Sequence, residues 1–175
     1  TQGNLVTNED VKVDDHAKVT INGDDELGGQ LDVGTDAEIV IKGNLKVDNK
    51  NITIGKGSKI LVQGNLISTN SDITIDGQLT VYQDSKLSQG TLQGEGILEL
   101  RGDLIQNSTI QDLGQLSING CVPQTISGYE IHVKKLDVQN TSSHGVDVQN
   151  QIYYTQKTIK NGTKINEDNL MEETE

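Results

Sequence analysis

The stretch Ile39-Val40-Ile41-Lys42-Gly43-Asn44-Leu45-Lys46-Val47 returns as Ile60-Leu61-Val62-Gln63-Gly64-Asn65-Leu66-Ile67-Ser68, and Val19-Thr20-Ile21-Asn22-Gly23-Asp24 precedes it in the same form. An apolar triplet followed by a small turn residue and an Asn or Asp is therefore a repeat unit. Downstream, Leu79-Thr80-Val81 runs into Gln83-Asp84, Leu98-Glu99-Leu100 into Gly102-Asp103, Leu116-Ser117-Ile118 into Gly120-Cys121, and Leu136-Asp137-Val138 into Asn140-Thr141. Gly3-Asn4 opens the series. The turn marks fall at 3, 23, 43, 64, 83, 102, 120 and 140, which gives intervals of 18 to 21 residues.

Side chains alternate along an extended strand, so the outer residues of each triplet face one way and the middle one the other. The outer set is Val, Ile and Leu throughout. The middle set, Thr20, Val40, Leu61, Thr80, Glu99, Ser117 and Asp137, is mostly polar and is expected to face solvent. A second apolar column reads Val11, Leu31, Ile52, Ile73, Leu92, Ile110, Ile126 and Val146. A third reads Leu5, Leu45, Leu66, Leu104 and Val122, with Leu27 and Leu87 displaced by a residue or two. Three short strands per repeat, always in one order, predict an all-β, single-stranded parallel β-helix of about eight coils. The expected extent is residues 1–165, with 166–175 as an acidic tail or short cap. Within it, Asn169-Leu170-Met171-Glu172-Glu173 is open to a terminal helical turn or to fraying.

The turn column predicts a structural corner ladder of Gly3, Gly23, Gly43, Gly64, Gly102 and Gly120 with Asn44, Asn65, Asp84 and Asp103. Glycine there suits a tight bend that a Cβ would penalise, and the Asn and Asp side chains can hold backbone donors. Gln83 interrupts the Gly column, so that coil is where a distorted corner is expected. Asp84 and Asp103 occupy equivalent places in neighbouring coils. Paired carboxylates can bind calcium or serve as acid and base, but the corner role is the simpler reading of a column that also holds Asn44 and Asn65.

Composition narrows function. The 175 residues contain no Phe, no Trp, four Tyr, one Pro and one Cys, with 26 acidic against 14 basic residues and a net charge of −12. Arg101 is the only arginine and the 13 lysines are scattered, which excludes a phosphate-binding surface and hence a nucleic-acid partner. No apolar run approaches the roughly 20 residues of a membrane span. With so few rings, the interior is expected to be Leu, Ile and Val alone, and the outer faces to offer little that could grip a sugar or a base.

Chemistry-bearing motifs are sparse. Gly94-Glu95-Gly96 precedes a strand and not a helix, so no phosphate loop is expected. His16, His132 and His144 lack metal-ligand spacing and are expected at the surface. Cys121 is expected as a small buried residue. Thr53 and Thr74 stack, but their column otherwise reads Lys12, Asp32, Gln93, Gln111, Ser127 and Asp147, which is no flat threonine face. No cofactor, metal or catalytic residue is predicted.

Gly90-Thr91-Leu92, the run from Ile97 to Gln106, Pro123-Gln124-Thr125-Ile126-Ser127-Gly128, Leu136-Asp137-Val138-Gln139-Asn140 and Gly145-Val146-Asp147-Val148 together resemble the β-helical repeat regions of large secreted or cell-surface, adhesin-like proteins of Gram-positive, clostridia-like bacteria. The resemblance spans about residues 19–150. It implies a bacterial extracellular or cell-surface stalk or adhesive scaffold without enzymatic activity. Partners would be host or neighbouring-cell surface molecules, or further copies of the chain joined end to end or laterally. Ser71-Asp72-Ile73-Thr74-Ile75-Asp76-Gly77 is also similar to units of the polymer-forming bactofilins, which implies a filament subunit as an alternative. Since β-helices also carry polysaccharide-cleaving enzymes, a further alternative places Asp84 and Asp103 in such a site.

Overall fold

A computed structural model describes residues 3–174. The chain winds into a parallel β-solenoid of about eight turns, with no helix among the described residues. The first turn is β1 (Leu5–Thr7), β2 (Val11–Val13) and β3 (Lys18–Ile21), and the second is β4 (Asp25–Leu27), β5 (Leu31–Val33) and β6 (Glu38–Ile41). The third is β7 (Leu45–Asp48), β8 (Ile52–Ile54) and β9 (Lys59–Val62), and the fourth is β10 (Leu66–Thr69), β11 (Ile73–Ile75) and β12 (Gln78–Val81). From there the strands fuse across corners. β13 (Ser85–Leu100) and β14 (Leu104–Ile118) each make most of a turn. β15 (Gln124–Gly128) with β16 (Ile131–Val138), then β17 (Val146–Val148) with β18 (Ile152–Ile159), complete two more, and β19 (Leu170–Glu172) adds a last strand.

The triplet column stacks in the predicted register: Ile39 on Ile60, Ile60 on Leu79, Leu79 on Leu98, Leu98 on Leu116 and Leu116 on Leu136. Two inward residues per strand build the core, and Ile41, Leu45, Ile54, Ile60, Leu79 and Leu116 are wholly buried. Coil stacking puts like on like, so branched aliphatics interdigitate without rings. The interior is not purely aliphatic, however. Tyr154 is buried beyond Val133, and four polar residues enter the columns between Leu5 and Ile126, one of them Ser68, between Val47 and Leu87. Asp25 stands between Leu5 and Leu45, Ser85 between Leu66 and Leu104, and Gln106 follows Leu87. Leu27 and Leu87 are thus the second inward residues of their strands, and polar Asp25 and Ser85 fill the first positions.

Two columns part from the sequence reading after turn six. Ile110 pairs with Ile131 and Ile131 with Ile152, while Ile126 pairs with Leu104 and with Val148. Val122 is exposed. The cause is a change in corner length. The chain goes from Val81 to Ser85, and from Leu100 to Leu104, in four steps. It then takes six from Ile118 to Gln124 and eight from Val138 to Val146, so a fixed offset from the turn mark no longer finds the next strand. The predicted terminal helical turn does not form either. Leu170, Met171 and Glu172 pair in parallel with Ile152, Tyr153 and Tyr154, continuing the stack. Residues 1, 2 and 175 of the expected domain bounds lie outside the described residues.

Candidate functional site

The corner ladder is continuous. Asn4 Oδ1 accepts the Asp24 N–H at 3.0 Å, Asp24 Oδ1 that of Asn44 at 2.7 Å, and Asn44 Oδ1 that of Asn65 at 2.8 Å. Asn65 Oδ1 then accepts from Asp84, Asp84 Oδ1 from Asp103, both at 3.0 Å, and Asp103 Oδ1 from Thr125 at 2.7 Å. The adjacent backbone joins in, with Gly43 N–H on Gly23 O and Gly64 N–H on Gly43 O. Among the expected corner glycines Gly3 alone has a left-handed φ, 102°. The others serve close approach, not a special dihedral: a Cβ on Gly43 would lie 2.7 Å from the backbone of Gly23 and Asp24. This corrects the conformational reason expected for the column. At Gln83 the corner is nevertheless kept: its N–H reaches Gly64 O at 3.2 Å, and the pairing of β12 with β13 is unbroken.

Asp84 and Asp103 therefore each commit an oxygen to a backbone donor. Among the described residues no group of three or more His, Cys, Asp or Glu is placed to hold a metal ion. No helix among the described residues is long and apolar enough to cross a membrane. Cys121, expected inside, is exposed on the lengthened corner, because the residues inserted there leave the core.

The outer side of the triplet face is more ordered than the sequence suggests. Thr80, Ser117 and Asp137, expected to face solvent, are buried. Gln78 Nε2 donates to Thr80 Oγ1 and to Glu99 Oε2, each at 3.0 Å, and Arg101 Nε donates to Glu99 Oε1 at 2.9 Å. The Arg101 guanidinium lies 4.2 Å over the Tyr82 ring. Gln139 Nε2 donates to Asp137 Oδ2 at 2.8 Å. The lone arginine is thus a clamp within a surface network.

A concave region lies on the face of the second column. Its outward row reads Lys12, Asp32, Thr53, Thr74 and Gln93, as expected, and then departs. Ile110 pairs with Ile131 and Leu113 with Val133, so Gln111 and Asp112 together oppose the single residue His132. The same pair opposes Gln93 on the other side, between Leu92–Ile110 and Gly94–Leu113. This is a β-bulge, with Asp112 in the left-handed region at φ 51°. Beyond it the row continues as His132, Tyr153 and Met171, not Ser127 and Asp147. Turn stacking puts His132 flat on Tyr153, with ring centroids 4.5 Å apart and planes within 5°. His132 Nε2 is 3.6 Å from Glu130 Oε1, and Nδ1 is 3.3 Å from Glu173 Oε1.

Two depressions flank this histidine. One, of about 460 Å³, is lined by Ser108, Thr109, Gln111, Tyr129 and Glu130. The other, of about 490 Å³, is lined by Asp112, Gly114, Lys134, Thr155 and Glu173. Lys134 reaches Glu95, two turns away, at 2.6 Å. Tyr129 is 62% exposed, next to Gly128, whose φ of 110° makes the sharp bend. The expectation that the outer faces lack rings is thus corrected for turns six to eight. The sequence hid the grouping because Gln111, Tyr129, His132 and Tyr153 become neighbours only through the altered corner lengths. The run Gly128-Tyr129 before a strand was the available signal.

Fold and surface together define a parallel β-solenoid whose regular first half leads to a bulged, ring-bearing second half. No family model, curated protein or solved structure matches the chain significantly.

Proposed function

We propose that the chain is a rigid, non-enzymatic spacer and display scaffold of a bacterial extracellular or cell-surface protein. The observation that carries this is the unbroken stacking of turn on turn. Strand pairing, the aliphatic core and the corner ladder all run along one axis, and every strand pairing joins successive turns. At about 4.8 Å per turn the solenoid extends about 35–40 Å. Asp84 and Asp103 have backbone partners at the corner, which favours structural over catalytic use. The acidic surface suits solubility and a spacer role.

Small-angle scattering combined with a reducing-end assay tests this. The expected result is a stiff rod whose profile is unchanged by concentration, with no new reducing ends on glucans, xylans, mannans or pectins. Turnover of any of these polysaccharides, or scattering from a flexible chain, overturns it. Labelling of intact cells of the source bacterium with antibodies to the chain tests the location. Signal appearing only after permeabilisation overturns the surface assignment.

A further inference from the structure

We propose that the two depressions on either side of His132 form one binding site for a neutral oligosaccharide. The bulge is the structural origin. Two residues opposite one re-aim the side chains, so Gln111 lines the depression beside Tyr129 and Asp112 the one beside Lys134. His132 lines both and stands at the divide.

The chemistry of the lining selects the ligand class. A pyranose offers a C–H face that packs on an aromatic ring and hydroxyls that require both donors and acceptors. Tyr129 supplies the exposed ring. The Gln111 amide, the Thr109 hydroxyl and the Glu130 carboxylate surround it. His132 lies flat on Tyr153, with carboxylate oxygens of Glu130 and Glu173 3.6 and 3.3 Å from its two nitrogens. A ring stacked on its neighbour loses less freedom when a ligand arrives than a free one.

Charge narrows the class further. Asp112, Glu130 and Glu173 line the site, and Lys134 is already paired with Glu95. An acidic sugar would meet carboxylates, on a chain of net charge −12; a neutral sugar meets hydrogen-bonding groups. Each depression has the volume of an ordinary small-ligand pocket, and a chain lying across His132 would fill both. Oligosaccharides should therefore bind better than single sugars. This site does not depend on where the scaffold is displayed.

The test is calorimetric titration, with saturation-transfer NMR, against pentasaccharides of β-linked glucose, β-linked N-acetylglucosamine, β-linked mannose and α-linked glucose, and against pentagalacturonate. At least one neutral pentasaccharide should bind with a Kd of about 1 mM or tighter. Tyr129→Ala and Gln111→Ala should each weaken it about tenfold or more, and Tyr82→Ala, on the triplet face, should leave it unchanged. Pentagalacturonate should bind about tenfold more weakly than the best neutral chain. Tyr129 and Gln111 are both exposed, so matched circular dichroism and thermal unfolding show that each variant keeps the fold. Binding of pentagalacturonate alone, no binding of any neutral chain, or binding that survives both Tyr129→Ala and Gln111→Ala overturns the proposal.

Discussion

Turns one to four and turns five to eight share one core pattern and close their corners by different means. In the first half, short strands of three or four residues meet at corners where an Asn or Asp oxygen holds the next turn's backbone N–H. In the second half the strands fuse, β13 to 16 residues and β14 to 15, and the remaining corners lengthen. The surface ladder runs on through Asp84 and Asp103 to Thr125, and internal amides are added to it. Gln106, wholly buried, binds the Ser108 backbone through both ends of its amide. Gln124 donates to the carbonyls of Leu100 and Gly102 and accepts from Asn140 Nδ2 at 2.7 Å. A uniform corner can be satisfied by a repeated side chain, whereas an irregular one needs a dedicated donor-acceptor pair placed within it. The same irregularity produces the bulge and the concavities, so the less regular half carries the candidate site.

Five substitutions probe that division. Ile60→Ala empties the centre of the stacked aliphatic column and should lower unfolding free energy by about 3 kcal/mol. The midpoint should drop by roughly 6–12 °C. Leu116→Ala in the second half should match it in thermal and urea unfolding if the halves unfold as one unit; two resolved transitions would make them separate cooperative blocks. Gln124→Ala comes next, at about 2–3 kcal/mol, because it strands two carbonyls and the Asn140 amide in the interior.

Asp25→Leu acts in the opposite direction. Burial between Leu5 and Leu45 pushes the Asp25 carboxyl up to about 6, and its Oδ1 has no partner. The folded protein therefore holds the proton more tightly than the unfolded chain. The contribution of this group to stability is fully present below the ordinary carboxylate pKa of about 4 and is lost as pH rises through about 6. Asp25→Leu should stabilise the protein at pH 7 by about 1–3 kcal/mol and flatten that decline, as read from urea midpoints between pH 4 and pH 7. A variant with the wild-type pH slope would mean that another group sets it. The smallest effect belongs to Asn65→Ala. It removes one ladder acceptor at a half-exposed corner where water can substitute, and should cost about 1 kcal/mol in the same assay.

The sequence made the first half legible almost residue by residue, because equal coil lengths turn a column in space into a fixed interval in the chain. Val19, Ile39, Ile60 and Leu79 needed no other information. The second half obscured the outer columns for the same reason. Once six or eight steps replace four at a corner, Ile126 and Val146 look equivalent to Ile110 while Ile131 and Ile152 hold the place. Cys121 and Val122 were misplaced by that shift, and the His132–Tyr153 stack was concealed by it. Asp25 and Ser85 were passed over because an apolar pattern records which residues match and is silent about a polar residue buried in phase.

The corner ladder has a direction. Each side-chain oxygen receives an N–H from the turn that follows it, from Asn4 through to Asp103, and never from the turn before. A newly laid turn is thus bound at its corner by its predecessor and offers an open acceptor to the segment still to come. Winding that starts at the amino end always has a prepared edge ahead of it, so the order in which the ladder closes matches the direction in which a chain is synthesised.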